Sequence, residues 1–587
     1  MRIILDIETN STHDKIWCVV CRDIDKGVVS TFVQSSSLQD FINGCDIVVT
    51  HNGIFFDFPV LKKVWGITVK KSQVVDTLVL ARLYDPSIEG GHSLEAWGER
   101  LGHYKAPYKK IWSWLTGTSL IGEDKDGKKF DQSNLAFDEP VMSALLWYCV
   151  QDTKVTAELY KHLTQEMEND FSKESITLEH EVAIIIAEQE RNGFRLDMPK
   201  ALCLLSELKT KLDNIQIEME TIFPPIVISG RTHGTSGKPL KDIVTPFNPG
   251  SRQQIAKRLQ EKGWKPKKHT EKGAVIVDET TLEGIDIPEA KAIAEYLMLQ
   301  KRIGQIESWI AAVQKDGRVH GRVITNGAVT GRMTHMSPNM AQIPNSGSPY
   351  GHECRELWTI DKGNKLVGID AAGLELRMLA HYMNDDEYTN EVVSGDIHTA
   401  NQTAAGLQTR NQAKTFIYAF LYGAGSAKIG SIVGGSAKEG QKLIDSFLRN
   451  TPRLKALREK VARLYASKGW LQGLDGRKLL VRAEHSALNT LLQGAGAIVM
   501  KQALVLFKKE LTKQKIWHEF KANVHDEWQI ECKEADAEKV GIMGVQSIAQ
   551  VVKELKVLDD SPPNPKKRLR CPLDGEYKVG NSWKETH

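Results

Sequence analysis

Short apolar runs that end on acidic residues recur along the chain and predict buried strands. One run opens the segment Ile3 to Glu8, and another, Leu366 to Ile369, leads directly into Asp370. Apolar runs of this length are typical of buried strands. The segment Asn523 to Ile530 has acids between two apolar stretches, which predicts a β-hairpin with Asp526 at its turn.

Helical patterns fill much of the remaining chain. One pattern runs from Leu178 to Arg191 and is stopped by Asn192-Gly193, and another passes through Tyr296 to Ile310. Between them, Ile226 to Pro246 is rich in Gly, Thr, Ser and Pro, which predicts an ordered loop or linker. Strands and helices together predict an α/β protein, and the length predicts several domains.

The composition is that of an ordinary globular protein. Its 587 residues are 41% hydrophobic and 26% charged, and a net charge of +3 gives no global signal for a nucleic-acid partner. Among eight cysteines, the single CxxC pair, Cys18 and Cys21, lies on a predicted strand with its side chains on opposite faces, which indicates reduced thiols. No signal peptide and no apolar run of ~20 residues is recognised, which predicts a cytoplasmic protein without a membrane span.

Asp370 has two interpretations when it is considered alone. It could be the N-cap of the helix that follows, or it could be a metal ligand, because a carboxylate on a core strand is costly unless it is paired. Asp526 favours the second interpretation, since two aspartates from separate strands offer oxygen ligands for Mg²⁺. Two such ions can activate an attacking hydroxyl and stabilise a leaving phosphate oxygen.

Four chemically distinctive side chains recur every four residues between Thr409 and Gly423. Arg410 and Lys414 are followed by Tyr418 and Tyr422, and on a helix they drift by only about 40° per step. The alternative is an amphipathic helix with basic ends, but apolar residues already occupy the other faces. Two cations suit a triphosphate, and the two aromatic rings suit a sugar and a base pair.

A second candidate set lies in the first 165 residues. Asp6 and Glu8 are two apart on a strand and share a face, and Tyr148 and Asp152 are four apart on a predicted helix. Asp57 follows another predicted strand and turn. Each residue alone is ordinary, because surface acids are common, so only the complete set is informative.

The sequence resembles family A, the polymerase-I-like DNA polymerases, over nearly its whole length. The strings around Asp370 and Asp526 resemble motifs A and C, and the spacing from Arg410 to Gly423 resembles motif B. Strings such as Ser93 to Gly98 and Gln300 to Gln305 are similar to the replicative polymerases of T-seven-type phages. The resemblance implies template-directed DNA synthesis with 3′–5′ proofreading, in phage genome replication in the host bacterial cytoplasm.

The resemblance also implies a right-hand polymerase preceded by an RNase-H-like 3′–5′ exonuclease domain, with no 5′-nuclease domain before it. The expected divisions are residues 1–165 for the exonuclease, 166–325 for a connector and thumb, 326–395 for the first part of the palm, 396–515 for the fingers and adjoining helices, and 516–587 for the second part of the palm.

Site residues follow from the matched motifs. In the palm, Asp370 and Asp526 would hold two Mg²⁺ ions with the Ala371 carbonyl, and a role for Glu527 is left open. The implied nucleotide contacts are Arg410, Lys414 and His398 for the phosphates, Tyr418 for the sugar, Tyr422 for the base pair, and Glu375 against a 2′-hydroxyl. The implied DNA contacts are Arg332, Gln342, Asn489, Gln493, His525, Lys301 and Arg302.

In the exonuclease, the resemblance implies that Asp6, Glu8, Asp57 and Asp152 hold two metal ions and that Tyr148 orients the attacking water. Two other functions remain to be weighed, namely a single-subunit RNA polymerase and a non-catalytic DNA-binding protein. The exonuclease motifs and Glu375 argue against the first, and the two intact acid sets argue against the second.

The remaining expectations concern partners. Eight basic residues crowd one stretch and form either a solvated face or a thumb tip that grips duplex phosphates: Arg252, Lys257, Arg258, Lys262, Lys265, Lys267, Lys268 and Lys272. The basic strip Pro562 to Arg570 is solvated or touches DNA.

T-seven-type polymerases carry a long thumb insertion that recruits thioredoxin. Here only Pro224 to Pro246 fills that gap, so thioredoxin binding is doubtful. The partners implied by the resemblance are primer-template DNA, dNTPs, a phage helicase-primase and a single-stranded DNA-binding protein.

Overall fold

The computed structural model describes residues 1–105, 110, 112–113, 121–123, 129–131, 139–230, 233, 236–239, 241–266, 269–270, 272–559 and 567–587. Two larger sheets, one of five strands and one of four, lie among helices within these residues. The α/β class predicted from the sequence is therefore confirmed.

The first 76 residues build the five-stranded sheet. Across it the strands lie in the order Val29–Phe32, Ile16–Asp23, Arg2–Thr9, Ile47–Thr50 and Val74–Asp76. The central strand Arg2–Thr9 pairs antiparallel with Ile16–Asp23 and parallel with Ile47–Thr50. Helices in this region span Leu38–Asn43, Asp57–Trp65, Thr77–Tyr84, Leu94–Leu101 and Glu139–Met167, and short paired strands span Ile121–Glu123 and Lys129–Asp131.

Strand alternation decides where the acids of this sheet point. Ile3, Leu5 and Ile7 are buried in one core beneath the sheet. Because successive side chains point to opposite faces, Asp6 and Glu8 lie on the other face, against which the helix Glu139–Met167 packs.

The middle of the chain is mainly helical. Its helices span Lys173–Asn192, Met198–Ile222, Arg252–Glu261, Glu279–Glu283 and Pro288–Ala312. The strand Phe194–Leu196 pairs with Arg318–Val319 and Trp358–Thr359. The segment expected to be a loop contains a short antiparallel ribbon, Ile226–Ile228 with Ile243–Thr245, because its ends carry β-branched residues that can pair.

The four-stranded sheet brings together the predicted strand and hairpin. Its order is His518–Val524, Glu527–Lys533, Asn364–Ala371 and Gly575–Gly580, and every neighbouring pair is antiparallel. The following helix, Leu374–Met383, has Gly373 as its N-cap, whereas Asp370 lies within the strand. The N-cap interpretation of Asp370 was therefore wrong.

Helices account for most of the rest. They span Gly351–Glu356, Asp386–Val393, Ile397–Ala405, Arg410–Leu421, Ser426–Ile432, Ala437–Asn450, Pro452–Lys468, Ala487–Lys513 and Ala537–Glu554. Short 3-10 turns span Lys71–Gln73, Met340–Gln342, Glu484–Ser486 and Glu534–Asp536. Two further ribbons are Arg322–Ile324 with Thr334–Met336 and Trp470–Gln472 with Lys478–Leu480.

The largest hydrophobic core lies around the helix Ala487–Lys513. Aliphatic side chains of the four-stranded sheet and of the helix Lys173–Asn192 pack into the same core. Among the described residues, one helical stretch, Glu484–Lys513, is long and apolar enough to cross a membrane, but 78% of its most apolar window is buried inside the protein. A core helix passes the same test, so this stretch is weak evidence for a span.

Candidate active sites

Asp370 and Asp526 meet at one end of the four-stranded sheet. The Ala371 amide donates to the Asp526 carbonyl at 3.1 Å, which connects the strand Asn364–Ala371 to the hairpin turn. Loss of hydration and the charge of Asp526 raise the pKa of Asp370 to about 7, and partial burial raises the pKa of Asp526 as well. Negative charge is therefore concentrated here, and the oxygen donors fit a hard divalent cation such as Mg²⁺.

Glu527 is next to Asp526 but is occupied by other contacts. Its Oε1 accepts hydrogen bonds from Gln529 Nε2 and Trp583 Nε1, both at 2.6 Å, and its Oε2 lies 3.0 Å from His587 Nδ1. Burial opposes the charge of Glu527, but the bonds from His587 and Gln529 lower its pKa below the ordinary value. These contacts favour a structural role for Glu527 over metal binding.

The helix Arg410–Leu421 carries the predicted row of cations and aromatic rings. Thr409 and Gln412 form a capping box that fixes its start. Arg410 Nε donates to Asp396 Oδ2 at 2.8 Å, and Lys414 is exposed. Tyr418 is half-buried, and Tyr422 follows directly after the helix.

Three aromatic rings lie close to one another at this helix. The Tyr418 ring centroid lies 6.4 Å from that of Tyr422 and 6.3 Å from that of His398. His398 reaches this position because Asp396 caps its helix and also pairs with Arg410. The structure thus brings together the residues predicted to bind one nucleotide.

Glu375 links this helix to the helix Leu374–Met383, which follows the strand that contains Asp370. The Tyr422 hydroxyl donates to its carboxylate at 3.0 Å, and Arg332 Nη2 pairs with it at 3.2 Å. Partial burial and the Glu375 charge raise the pKa of Tyr422 to about 12. Since Glu375 lies in the first turn of the helix that follows Asp370, the residues predicted to bind the nucleotide and those predicted to bind metal are joined by one short connection.

Most residues predicted to contact DNA have accessible surface. Gln342 is the exposed last residue of the turn Met340–Gln342, and His525 is exposed in a left-handed conformation at the hairpin turn. Asn489 and Gln493 are the partly exposed positions of an otherwise buried helix start, and Lys301 is exposed.

Arg302 requires a correction. Its side chain is buried, with 7% of the residue exposed, and it donates to the Pro349 carbonyl and to Gln305. It therefore holds the helix against a neighbouring loop and offers little surface to DNA.

The basic stretch after residue 251 is mixed. Arg258 and Lys262 pair with Glu261 and Glu289, whereas four other basic residues are exposed: Arg252, Lys257, Lys265 and Lys272. Lys267 and Lys268, like residues 562–566 of the basic strip, lie outside the described residues.

The second acid set also converges. Asp6 and Glu8 lie on the face of the sheet covered by the helix that carries Tyr148 and Asp152, and Asp57 begins the helix Asp57–Trp65. Burial and the Asp152 charge raise the pKa of Asp6 to about 7, and burial with the Asp6 charge raises the pKa of Asp57 well above its ordinary value. Asp152 Oδ1 is buried without a hydrogen-bond partner among the described residues, and these oxygen donors fit divalent cations.

Three residues that sequence reasoning missed complete this second site. Lys105 Nζ pairs with Asp152 Oδ2 at 2.7 Å and lies 5.0 Å from the Tyr148 ring centroid. Cys149 Sγ lies 3.3 Å from Asp6 Oδ2. Local spacing gives no signal for Lys105, whereas Cys149 could have been noticed as the neighbour of Tyr148.

Asp76 is the third residue. Its carboxylate accepts the Asn52 and Ile54 amides at 2.8 and 3.1 Å and thereby shapes the turn that leads to Asp57. It also caps the next helix by accepting the Leu78 amide.

Comparison with known proteins agrees with this geometry. The family model described as DNA polymerase family A matches residues 233–585. The DNA-directed DNA polymerases of Enterobacteria phage T3 and Escherichia phage T7 are each 35% identical, over 100% of this chain and 100% of theirs. The structure of the POL domain of Pol1 from M. smegmatis, in complex with DNA primer-template and dNTP, shares the fold with a TM-score of 0.77 at 17% identity, covering 100% of this chain and 95% of that chain. The resemblance seen in the sequence is confirmed, and the chain belongs to DNA polymerase family A.

Proposed function

We propose that this chain is a DNA-directed DNA polymerase in which Asp370 and Asp526 hold two Mg²⁺ ions, with the Ala371 carbonyl as a further ligand. The observation that carries the proposal is the juxtaposition of both aspartates at one end of the sheet. The Tyr418 side chain is near them, since the Asp526 charge contributes to its raised pKa. When bound, the ions would activate the primer 3′-hydroxyl and neutralise charge on the transferred phosphate.

The chain's own residues would position the nucleotide. Arg410 and Lys414 are suited to the triphosphate, for which Arg410 would exchange its Asp396 partner, and His398 supplies a further donor. Tyr418 would stack against the sugar. Glu375, held by Tyr422 and Arg332, would leave no room for a 2′-hydroxyl.

The remaining exposed residues would hold primer-template DNA. Arg332, Gln342, Asn489 and Gln493 can reach base acceptors shared by all correct pairs in the minor groove, which checks pairing without reading sequence. His525 and Lys301 add contacts near the primer end. The domain divisions expected from the sequence, at residues 165, 325, 395 and 515, are part of this proposal.

A separate proofreading exonuclease is proposed for the first domain. Asp6, Glu8, Asp57 and Asp152 would hold two divalent ions, and the Tyr148 hydroxyl would orient the attacking water. Lys105, paired with Asp152, would keep this carboxylate and the tyrosine in place. The setting that fits both activities is phage DNA replication with a helicase-primase and a single-stranded DNA-binding protein, in the bacterial cytoplasm.

The polymerase assignment is tested by Asp526→Asn on a primed template. We expect loss of dNTP extension with retained DNA binding, because the change removes a charged metal ligand but little volume. Glu534→Gln, an exposed carboxylate that follows the same hairpin at the far end of its second strand, is the matched control and should extend normally. Extension by Asp526→Asn within tenfold of the parent, only about 1.4 kcal/mol of barrier, would sink the assignment.

The exonuclease assignment is tested by the double variant Asp6→Ala with Glu8→Ala. It should stop degradation of single-stranded DNA and leave dNTP incorporation intact, because the two sites lie on different sheets. If the double variant still trims a mismatched primer end, the nuclease site is elsewhere. Primer extension by the parent enzyme with NTPs in place of dNTPs tests the discrimination against a 2′-hydroxyl.

A further inference from the structure

A thiol lies among the carboxylates of the proposed exonuclease site. Cys149 is fully buried, and its Sγ lies 3.3 Å from Asp6 Oδ2 and 3.6 Å from the Asp6 carbonyl oxygen. One ligand atom each from Asp6, Glu8 and Cys149 lies within 4.8 Å of the other two. Among the described residues, this is the one group of three or more His, Cys, Asp or Glu side chains with such spacing.

We propose that Cys149 is a metal ligand and that Asp6, Glu8 and Cys149 together form a binding site for a thiophilic divalent ion, namely Zn²⁺. Zinc bonds of about 2.3 Å to sulfur and about 2.0–2.2 Å to carboxylate oxygen span donors about 4 Å apart. The observed spacing needs only a small contraction to close on one ion. Three protein ligands leave a fourth position for water, as in catalytic zinc sites.

The donor set distinguishes this site from the one in the palm. Mg²⁺ is a hard ion that takes oxygen ligands in an octahedron, and a thiol adds little to its binding. Zn²⁺ gains a strong bond from a thiolate and outranks magnesium at such mixed sites. Asp370 and Asp526 offer oxygen alone, so Cys149 makes the exonuclease centre the thiophilic one.

Binding of the metal ion would release one proton and break one hydrogen bond. The Cys149 thiol donates to Asp6 in the structure; when the ion binds, the thiol proton is released to solvent and the sulfur and Asp6 oxygen both turn to the metal. The thiol therefore acts as a placeholder that keeps the Asp6 carboxylate oriented. The binding itself stands apart from hydrolysis, and only its effect on proofreading rests on the proposed exonuclease.

Cys18 provides a matched control. It lies on the neighbouring strand opposite Glu8, is equally buried, and packs with Cys149 in one small core. It is not in the three-residue group. Cys18→Ser therefore removes a thiol of the same kind and depth without removing the proposed ligand.

The test uses Co²⁺ as a spectroscopic substitute for Zn²⁺ on the full chain. We expect a sulfur-to-cobalt charge-transfer band in the near ultraviolet that saturates at one ion per chain, persists in excess Mg²⁺ and is removed by Zn²⁺. Cys149→Ser should lose the band and bind Zn²⁺ at least about tenfold more weakly, whereas Cys18→Ser should keep both. Primer extension by each variant reports whether it is folded.

A second measurement needs no variant. X-ray absorption of the zinc-loaded parent chain should show one sulfur neighbour at about 2.3 Å together with oxygen neighbours. An oxygen-only shell, or a cobalt band retained by Cys149→Ser, would overturn the proposal. A band on a chain that cannot degrade single-stranded DNA would support the zinc ligand and overturn the exonuclease assignment instead.

Discussion

Four buried charged residues, Glu179, Asp475, Arg477 and Lys501, form a cluster that allows a test of what stabilises the fold. Glu179 accepts Lys501 Nζ at 2.7 and 2.9 Å and also pairs with Arg477, which in turn pairs with Asp475. All four residues are at most 2% exposed. Two acids and two bases balance, so Glu179→Gln leaves two cations facing one carboxylate.

The expected loss of unfolding free energy is large because water does not reach the cluster. Removing one partner of a buried ion pair costs about 3–5 kcal/mol, since the other charge stays buried without compensation. For a cooperative unit of about 250 residues each kcal/mol lowers the melting temperature by roughly 2 °C, which gives a drop of roughly 6–10 °C. Glu188→Gln breaks a partly exposed pair with Lys508 between the same two helices and should cost at most about 1 kcal/mol.

The loss should also depend on pH. Burial lowers the pKa of Lys501 from 10.5 to about 8, so between about pH 8 and 10.5 the unfolded chain holds more protons and stability rises with pH. The Glu179 carboxylate opposes this lowering, and its removal lowers the pKa of Lys501 further. At pH 9.5 Lys501 is then neutral in the fold of both proteins, and the Glu179→Gln penalty should shrink.

Differential scanning calorimetry at pH 7 and pH 9.5 on the parent and both variants measures this. Equal losses for Glu179→Gln and Glu188→Gln would refute the assumption that burial decides the cost. A Glu179→Gln loss that is the same at both pH values would refute the role given to Lys501.

Three further outcomes follow from the proposed sites. Tyr418→Phe should make the enzyme reject dideoxynucleotides by about ten- to a hundredfold, because the tyrosine hydroxyl stands in for the missing 3′-hydroxyl; an unchanged ratio of incorporation efficiencies would place Tyr418 away from the sugar. Lys105→Met keeps the side-chain length but frees Asp152, and should slow single-stranded DNA hydrolysis about tenfold with normal primer extension, whereas an equal rate would contradict its positioning role. Reduced thioredoxin should not lengthen products made per binding event, since the described residues between Pro224 and Pro246 form only a short ribbon; longer products under single-hit conditions would contradict this.

The sequence predicted those features that depend on a local period. Asp6 and Glu8 share a strand face because side chains alternate, and Asn489 and Gln493 share a helix face because they are four apart. The strand that contains Asp370 and the hairpin around Asp526 were recognised from short apolar runs, which are equally local. Their meeting at one sheet end rests on strand pairing, which the resemblance implied and local pattern did not.

Other contacts depend on residues far apart in the chain, and no local pattern predicts them. The pairing of Glu527 with Trp583 and His587, the burial of Arg302 against Pro349, and the approach of Lys105 to Asp152 are of this kind. A lone arginine or lysine on a predicted helix looks equally suited to DNA and to a carbonyl of its own fold. Only the packed structure separates the two.

The alignment with the phage T3 polymerase bears on whether this chain has a counterpart of the expected thumb insertion. It runs over 727 residues, whereas this chain has 587, so that relative carries segments without a counterpart here. The ribbon at Ile226–Ile228 and Ile243–Thr245 nevertheless exposes four large side chains, Val227, Ile228, Ile243 and Val244. We nevertheless expect a ribbon of two three-residue strands to offer too little surface for a docking module of the size expected of the thumb insertion.

The helix Lys173–Asn192 argues against treating residue 166 as a mechanical boundary. Two adjacent residues of this helix contact different parts of the chain, since Glu179 joins the charge cluster with Arg477 and Lys501 while His180 Nε2 accepts the Asp76 amide at 2.9 Å. Burial lowers the pKa of His180, and its Nδ1 lies 2.8 Å from the Ile176 carbonyl, so the neutral ring suits both bonds. Because Asp76 shapes the turn that leads to Asp57, a fragment cut at residue 165 would lose a support of its own proposed metal site, whereas one that extends through Asn192 would keep it. The proposed exonuclease and the polymerase would thus be joined through one helix, and we propose a domain boundary after this helix rather than before it.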